Sequence, residues 1–598
     1  MTKSYIKDYP RPQLVRNHWE NLNGTWNFQF DDQNIGETQQ WFTTFPNSLQ
    51  ITVPFTYETK LSGIEDTTIH PYIWYQKKIT FSSETLVDKK IMLHFEGADY
   101  ITKLWVNGIY IGCHTGGYSR FSFDISKAAV EGDNNIVVKI EDYPDDQQPR
   151  GKQRWIKESY ACWYIQTTGI WKTVWVEYLP QSYIEQVKMT PNLSQRTLEL
   201  EIDVQAKQYS PNLLLQVEIT FDNQFVNKVL IPVYQKHLST KINLSNLAVT
   251  EWQLYTWSPE HPNLYDISFE LIENNVLIDQ VLSYFGMREI SIDKNQILLN
   301  GRPIYQRLIL DQGYWKDSHL TPPDEQALIE DIDKIMALGY NGVRKHQKIE
   351  DERFLYWCDV KGLYVWSEMA AAYTFSDFAV ETFAKQWMEI VLQNYNHPSI
   401  ITWTPFNESW GIPNIKNNRS QQHFTEAIYH LTKCFDPNRP IVINDGWEHT
   451  ISDIITLHDY EAEGELLFKR YFEFKDEILS GKVFHNLEKA AIADNYSYQG
   501  QPIIISEFGG IALDNDQNGW GYGNKVSNES AFLERFDSIT TAIKQLPFVC
   551  GYCYTQVTDV QQEINGLMDI DRNFKVNSEE IKKINEREVH VIWKQNRD

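Results

Sequence analysis

Two glutamates in this 598-residue chain stand in matching settings. Glu408 sits in the stretch Asn396-His-Pro-Ser-Ile-Ile-Thr-Trp-Thr-Pro-Phe-Asn-Glu-Ser-Trp-Gly411, and Glu507 follows the apolar run Pro502-Ile-Ile-Ile-Ser506. Short apolar runs of this kind read as strands buried on both faces, as in parallel sheets covered by helices. A carboxylate at the end of such a strand is costly unless it has a partner or a reaction to serve. Cleaving a glycosidic bond takes two carboxyl groups, one to protonate the leaving oxygen and one to attack the sugar or activate water. The chain holds 80 Asp and Glu residues, so the pair alone decides little and the elements that position it must decide.

Those elements change character along the chain. From Gly24-Thr-Trp-Asn-Phe28 to about Pro180, short alternating runs such as Ile91-Met-Leu-His-Phe95 and Ile136-Val-Val-Lys-Ile140 are separated by turn residues at Asn107-Gly108 and Gly132-Asp-Asn134. This pattern predicts a β-sandwich. From Tyr183 to Gly286, runs such as Leu198 to Val204 and Leu213 to Phe221 repeat the alternation over the length of an immunoglobulin-like sandwich. Beyond Gly286, strands alternate with amphipathic helices. Between Asp324 and Gly339 the apolar residues Leu328, Ile332, Ile335 and Met336 share one face, and Gly339 supplies the stop. Eight candidate strands follow in order, at about 303–310, 341–344, 363–366, 400–404, 440–444, 453–457, 502–506 and 549–554. Their number and order predict a (β/α)8 TIM barrel, with an open doubly wound sheet as the alternative. In the barrel, Glu408 closes strand four and Glu507 closes strand seven, both at the C-terminal face where such barrels carry chemistry. The expected domains are 1–182, 183–286 and 287–598.

Composition narrows the function classes. A formal net charge of −25 lacks the clustered Lys and Arg that phosphate backbones require, so a nucleic-acid partner is not expected. No apolar stretch approaches the roughly 20 residues of a membrane span, and Met1 to Pro10 has no apolar signal core; a cytoplasmic location is expected, with no membrane partner. Six cysteines are too few for a disulfide framework, and Cys550-Gly-Tyr-Cys553 sits in an apolar strand, as core residues do. Trp, Tyr and Phe make 14% of the chain, which suits sugar stacking and large sandwich cores equally. No ligand spacing for a metal is legible among the His and acidic residues.

Several segments together carry a resemblance. Val53-Pro54, Trp74-Tyr75, Trp105-Val-Asn-Gly108, Thr168-Gly-Ile-Trp171, Trp257 to Tyr265, Leu299-Asn-Gly-Arg-Pro303 and the two glutamate motifs resemble glycoside hydrolase family 2, the β-galactosidase and β-glucuronidase family, over essentially the whole chain. The resemblance implies a jelly-roll sandwich, an immunoglobulin-like sandwich and a catalytic barrel. It also implies retaining hydrolysis of a β-linked sugar from a small glycoside or oligosaccharide, and a homo-oligomer. No cofactor is required, although some relatives bind Mg²⁺ or Na⁺ at ligands that cannot be transferred to this chain.

By that resemblance Glu408 is the acid/base, Glu507 the nucleophile, and Asn407 the partner of the sugar 2-hydroxyl. The two carboxyl groups should then lie roughly 5 to 5.5 Å apart, with the Glu408 pKa raised by burial and by the Glu507 charge. Tyr460 matches a tyrosine that contacts the nucleophile, and Arg344 and Glu368 match positions that pair at the barrel mouth. Trp403 reads as packing, and Trp520, on the loop Gly519 to Gly523, as a cover for bound sugar. Three departures fall on positions that shape the sugar pocket. Leu310-Asp311-Gln312 replaces the usual Gly and His after strand one, Arg344-Lys345-His346 stands for Arg-x-Ser-His, and Thr555 replaces a tryptophan. Glucuronidases carry an Asn-x-Lys element, whereas Gln562-Glu-Ile-Asn-Gly566 offers no lysine and places Glu563 there. A neutral glycone is therefore expected, galactose first, with β-glucuronides or β-mannosides as alternatives and Asp559, Glu563 and Asn565 as contacts to its hydroxyls. Lys316, Lys345 and Arg572 are the candidate cations for an acidic sugar. The contrasting class, a non-catalytic carbohydrate-binding protein, is disfavoured by the presence of both glutamates.

Overall fold

In a computed structural model, residues 2–245, 254–481, 489–514 and 518–588 are described. The first sandwich packs a six-stranded sheet against a four-stranded one. The six-stranded sheet contains Tyr72–Phe81 and Gly132–Glu141 paired antiparallel along their full lengths. The four-stranded sheet contains Val174–Pro180 between Trp19–Asn21 and Lys89–Phe95. Trp26, Phe28, Tyr75, Leu93, Phe95 and Val138 fill the space between the sheets. The second sandwich joins a three-stranded and a four-stranded sheet. Its strands Thr197–Gln205 and Leu213–Phe221 bury Leu198, Leu200, Ile202 and Val204, and Leu213, Leu215, Val217 and Ile219. This is the period-two pattern written in the sequence.

The C-terminal region is the expected barrel. Seven parallel strands form one sheet in the order Ile400–Thr404, Tyr364–Glu368, Gly342–Lys345, Gln306–Asp311, Val549–Thr555, Ile503–Gly509, Ile455–His458. Helix starts and stops follow local chemistry: Asp324 caps Glu325–Ala337, and Asp351 caps Glu352–Lys361, which ends on Gly362 in the left-handed region.

The fifth strand departs from expectation. Only Asn444–Asp445 is regular strand, paired parallel with Phe406–Asn407. Ile441, Val442 and Ile443 are buried as expected, but their backbone is held otherwise. Val442 N–H donates to the Trp403 carbonyl, Asp453 N–H to the Ile441 carbonyl, and Ile441 N–H to the Asp453 side chain. The barrel therefore closes here through a two-residue pair, a few backbone bonds from residues 440–443 to Trp403, Phe406 and Asp453, and the Asp453 side chain.

Candidate active site

Arg344, near the end of the second strand, is the hub of the site and is fully buried. Its Nε lies 2.6 Å from Glu368 Oε2, its Nη1 lies 2.7 Å from Asp445 Oδ2 and 2.9 Å from Glu507 Oε1, and its Nη2 donates to Asn407 Oδ1 at 2.8 Å. One guanidinium thus ties together residues from five strand ends, which suits its planar set of five donors. Burial opposes its charge, but the charges of Asp445, Glu368 and Glu507 outweigh burial and hold it protonated.

Glu507 lies within the seventh strand, where register shifts occur on both sides and His458 is set opposite it. Such irregularities re-aim a side chain toward a barrel mouth. Its Oε2 accepts the Tyr460 hydroxyl at 2.6 Å. Tyr460 stacks on Tyr522 with ring centroids 3.4 Å apart, and its hydroxyl is 3.2 Å from Thr555 Oγ1.

Glu408 is turned toward Glu507 by backbone strain. Glu408 and Ser409 adopt φ of 52° and 60°, a left-handed conformation that side chains other than glycine rarely take. Glu408 N–H donates to the Asp445 carbonyl and Ser409 N–H to Asn444 Oδ1, both at 2.9 Å, and these bonds hold the turn. Glu408 Oε1 is 2.8 Å from His458 Nδ1, and Oε2 accepts Trp410 Nε1 at 3.3 Å. His458 also reaches Asp445 Oδ2 through Nε2 at 2.7 Å and Glu507 Oε2 through Nδ1 at 3.5 Å. The Glu408, His458 and Glu507 donor atoms lie within 4.8 Å of one another. They are joined as an ion-paired cluster, and no metal is assigned to it.

This cluster corrects the expected Glu408 titration. Burial does push the carboxyl up, but the hydrogen bond and charge of His458 prevail and bring it down to about 2. His458 in turn is buried, which opposes its charge, yet the charges of Glu507 and Asp445 raise it to about 10. The pair in the free protein is a carboxylate facing an imidazolium. The sequence reading missed His458, although it lies two residues before Tyr460, because the resemblance supplied no histidine there.

The opposite wall comes from the first sandwich. Its loop 143–168 runs into the barrel mouth, where Arg150 and Gly151 N–H donate to the Ala371 carbonyl, Tyr164 OH bonds Glu563, and the Gln562 side chain donates to the Ala161 and Trp163 carbonyls. Trp163 packs edge to face on Trp410. Lys152 is buried in this wall, with Nζ 3.2 Å from Cys162 Sγ. Among the described residues no carboxylate lies within 4 Å of that ammonium. Burial opposes its charge, and the Cys162, Tyr373, Glu408 and Glu563 sites raise it. Nothing in the local sequence marked Lys152, because it belongs to another domain.

The remaining expected residues divide into those at the mouth and those held elsewhere. Glu563 accepts Asn565 Nδ2 at 3.0 Å and faces Tyr164 and Gln312, and burial pushes its carboxyl up. Asn565 is further fixed by Gln556. Trp520 donates from Nε1 to the Ala161 carbonyl, pairs its backbone with Gln562 and Ile564, and rests edge-on against Tyr522. Asn407 Nδ2 is buried without a partner among the described residues. His346 lies 2.9 Å from Glu368 Oε1 and 4.0 Å from Glu507 Oε1, and burial with the Lys152 and Arg344 charges keeps it neutral.

Three of the expected site residues are held by protein partners. Asp311 is engaged by Lys345 at 2.5 Å and by Gly313 N–H, so its carboxylate closes a buried ion cluster rather than serving as a free sugar contact. Asp559 bonds Lys575 and Gly566 N–H at 2.8 Å each and braces its loop. Glu368 is fully buried against Arg344, His346 and Gln347 N–H, which makes it a support for the arginine. Each departure has the same cause: a carboxylate out of water is satisfied by the nearest cation or N–H. The three candidate cations are likewise engaged, Lys316 with Asp571, Lys345 with Asp311 and Glu350, and Arg572 with Asp331. Trp403 is packing, as expected, with Nε1 on Asp436. Among the described residues no helix is long and apolar enough to cross a membrane.

Two β-sandwiches feeding a barrel whose mouth holds paired glutamates define a glycoside-hydrolase architecture. Family models agree in register with the chain: "Glycosyl hydrolases family 2, sugar binding domain" matches residues 19–180, "Glycosyl hydrolases family 2" matches 182–288, and "Glycosyl hydrolases family 2, TIM barrel domain" matches 290–588. The chain belongs to glycosyl hydrolases family 2. It is 27% identical over 445 residues to a putative beta-glucuronidase of Formosa agariphila, covering 72% of this chain and 51% of that protein. It is 26% identical over 536 residues to a beta-galactosidase of Thermoanaerobacter pseudethanolicus, covering 85% and 67%. The chain thus spans about half the length of the first of these relatives. The crystal structure of Ruminococcus gnavus beta-glucuronidase superposes with a TM-score of 0.78 at 19% identity, covering 98% of this chain and 99% of that one, a likeness of fold.

Proposed function

We propose that this protein is a retaining β-glycosidase in which Glu507 is the nucleophile and Glu408 the acid/base. The observation that carries the reading is the approach of the Glu408 and Glu507 oxygens to within 4.8 Å at the barrel mouth, which suits direct attack by one carboxylate and leaves too little room for an intervening water. In the first step a Glu507 oxygen bonds the anomeric carbon as the bond to the leaving oxygen breaks, and that oxygen takes a proton from Glu408. In the second step Glu408 accepts a proton from water, whose oxygen displaces Glu507 from the sugar. Asn407 Nδ2, buried and unpartnered, is positioned to donate to the 2-hydroxyl. Arg344 and Tyr460 both donate to Glu507 and aim its carboxyl group.

The glycone we favour is a neutral sugar, galactose first, because Glu563 stands where an acidic sugar would be repelled. Lys152 favours a second reading, a β-glucuronide, since its buried ammonium has unused donors near Glu563 and Glu408. A panel of nitrophenyl β-glycosides tests both. Glu507→Ala and Glu408→Ala should each lose most turnover, and wild-type rates in Glu507→Ala would sink the assignment. Faster turnover of the β-glucuronide, lost in Lys152→Met while any β-galactoside turnover is retained, would replace the first reading of the glycone with the second.

A further inference from the structure

His458 sits among three carboxylates at the barrel mouth. Its imidazole is fully buried and spans from Asp445 to Glu408, with Glu507 3.5 Å away. Trp447 packs against the ring, and Gly446 makes room for it, since a Cβ there would meet the imidazole at 2.7 Å. Gly446 also adopts φ 103°, so a larger residue would be excluded twice over. Among the described residues, charged and titratable groups surround this ring and its carboxylate partners, with Tyr522 and Cys553 also acting on Glu507. Asp445, Glu408 and Glu507 touch it directly; Arg344 reaches it through Asp445 and Glu507; Tyr460 binds Glu507; His346 and Lys152 act on Glu408; and His449, nearby, is kept neutral by burial.

We propose that His458 acts through Glu408 as the proton store for glycoside cleavage, with Asp445 fixing its far nitrogen. This rests on the assignment of Glu408 as the acid/base. The free pair holds one proton on Nδ1. When substrate displaces water, that proton crosses the 2.8 Å bond to the Glu408 carboxyl, leaving a neutral imidazole that keeps Nε2–H on Asp445. Glu408 then gives the proton to the glycosidic oxygen, which keeps the electron pair of the broken bond while Glu507 forms the new bond to the anomeric carbon. In the second step Glu408 takes a proton from the attacking water and returns it to Nδ1. The direction of the Glu408 and His458 titrations agrees with this resting state.

The test compares wild type, His458→Gln and Glu408→Gln on phenyl and 2,4-dinitrophenyl β-glycosides of the preferred sugar across pH. For His458→Gln, kcat/KM on the phenyl glycoside should fall on the order of 10²-fold or more, while the dinitrophenyl glycoside, whose leaving group needs no proton, loses less than about tenfold. Its alkaline limb should move down by about two pH units or more, because a lone, half-buried carboxyl then has to keep the proton. Equal losses on both substrates with an unmoved limb would overturn the proposal. Nitrogen NMR of the wild-type protein guards against a variant that fails to fold: both ring nitrogens of His458 should be protonated at neutral pH, and a neutral ring there would also overturn it. If Glu408→Gln itself shows no dependence on the leaving group, the acid/base assignment fails first.

Discussion

The two glutamates of the barrel mouth look alike in sequence and are held in opposite ways. Glu507 sits within a strand whose register shifts on both sides and faces a cation that cannot give up its proton, Arg344, together with the Tyr460 hydroxyl. Glu408 sits on a left-handed turn and faces a cation that can, His458. The difference teaches how one fold separates two roles for the same side chain. In the proposed reaction the nucleophile must be ionised when it attacks and takes up no proton, whereas its neighbour must gain and lose a proton in every cycle.

The strongest way to break this contrast is to remove the fixed cation. Arg344→Met should lower kcat on the order of 10³-fold, about 4 kcal/mol of barrier, and should destabilise the fold by roughly 3–5 kcal/mol, because Asp445, Glu368 and Glu507 would be left buried without their partner. Steady-state kinetics and denaturant unfolding check the two parts separately. A milder change sharpens it. Tyr460→Phe removes one hydrogen bond to a charged oxygen, for which about 1.5–3 kcal/mol, or roughly 10- to 100-fold in kcat/KM, is expected with no change in alkaline limb.

The smallest effect on activity is expected at a buried glutamate away from the pair, Glu350, which Lys345 and Lys348 hold at 2.7 and 2.9 Å. Burial opposes its charge, yet the two lysines lower its pKa to about 2. A carboxyl depressed on folding stabilises the native state above its unfolded pKa, and that contribution is lost as pH falls from about 4.5 toward 2. Glu350→Gln should therefore flatten part of the acid-unfolding curve in that window while leaving turnover at neutral pH within a few fold. An unchanged curve would show that the lysines do not hold it as described.

Much of the architecture was legible because it depends on local pattern. Alternation at Leu198 to Val204 and Leu213 to Phe221, the amphipathic stretch ending at Gly339 and the run at Ile503 to Ile505 each declare which face is buried. The fifth strand was overcalled because an apolar run specifies burial and leaves open who bonds its backbone; side chains of Ser452 and Asp453 do so here. At the site, Glu408, Glu507, Asn407, Arg344 and Tyr460 were legible through motif and strand order. The engagement of Asp311 by Lys345 and of Asp559 by Lys575 was not legible, since those partners are brought up only by packing.

By itself, then, the sequence determined the family, the order of two sandwiches and a barrel, and the two glutamates at the strand ends, because period, turn chemistry and motif are written along the chain. Tertiary structure alone decided which groups face those glutamates. His458, fifty residues from Glu408, sets the protonation of that carboxyl, and Lys152, from another domain, lines the wall opposite. Charge interactions depend on distance through space and on exclusion of water, and neither is a property of spacing along a chain.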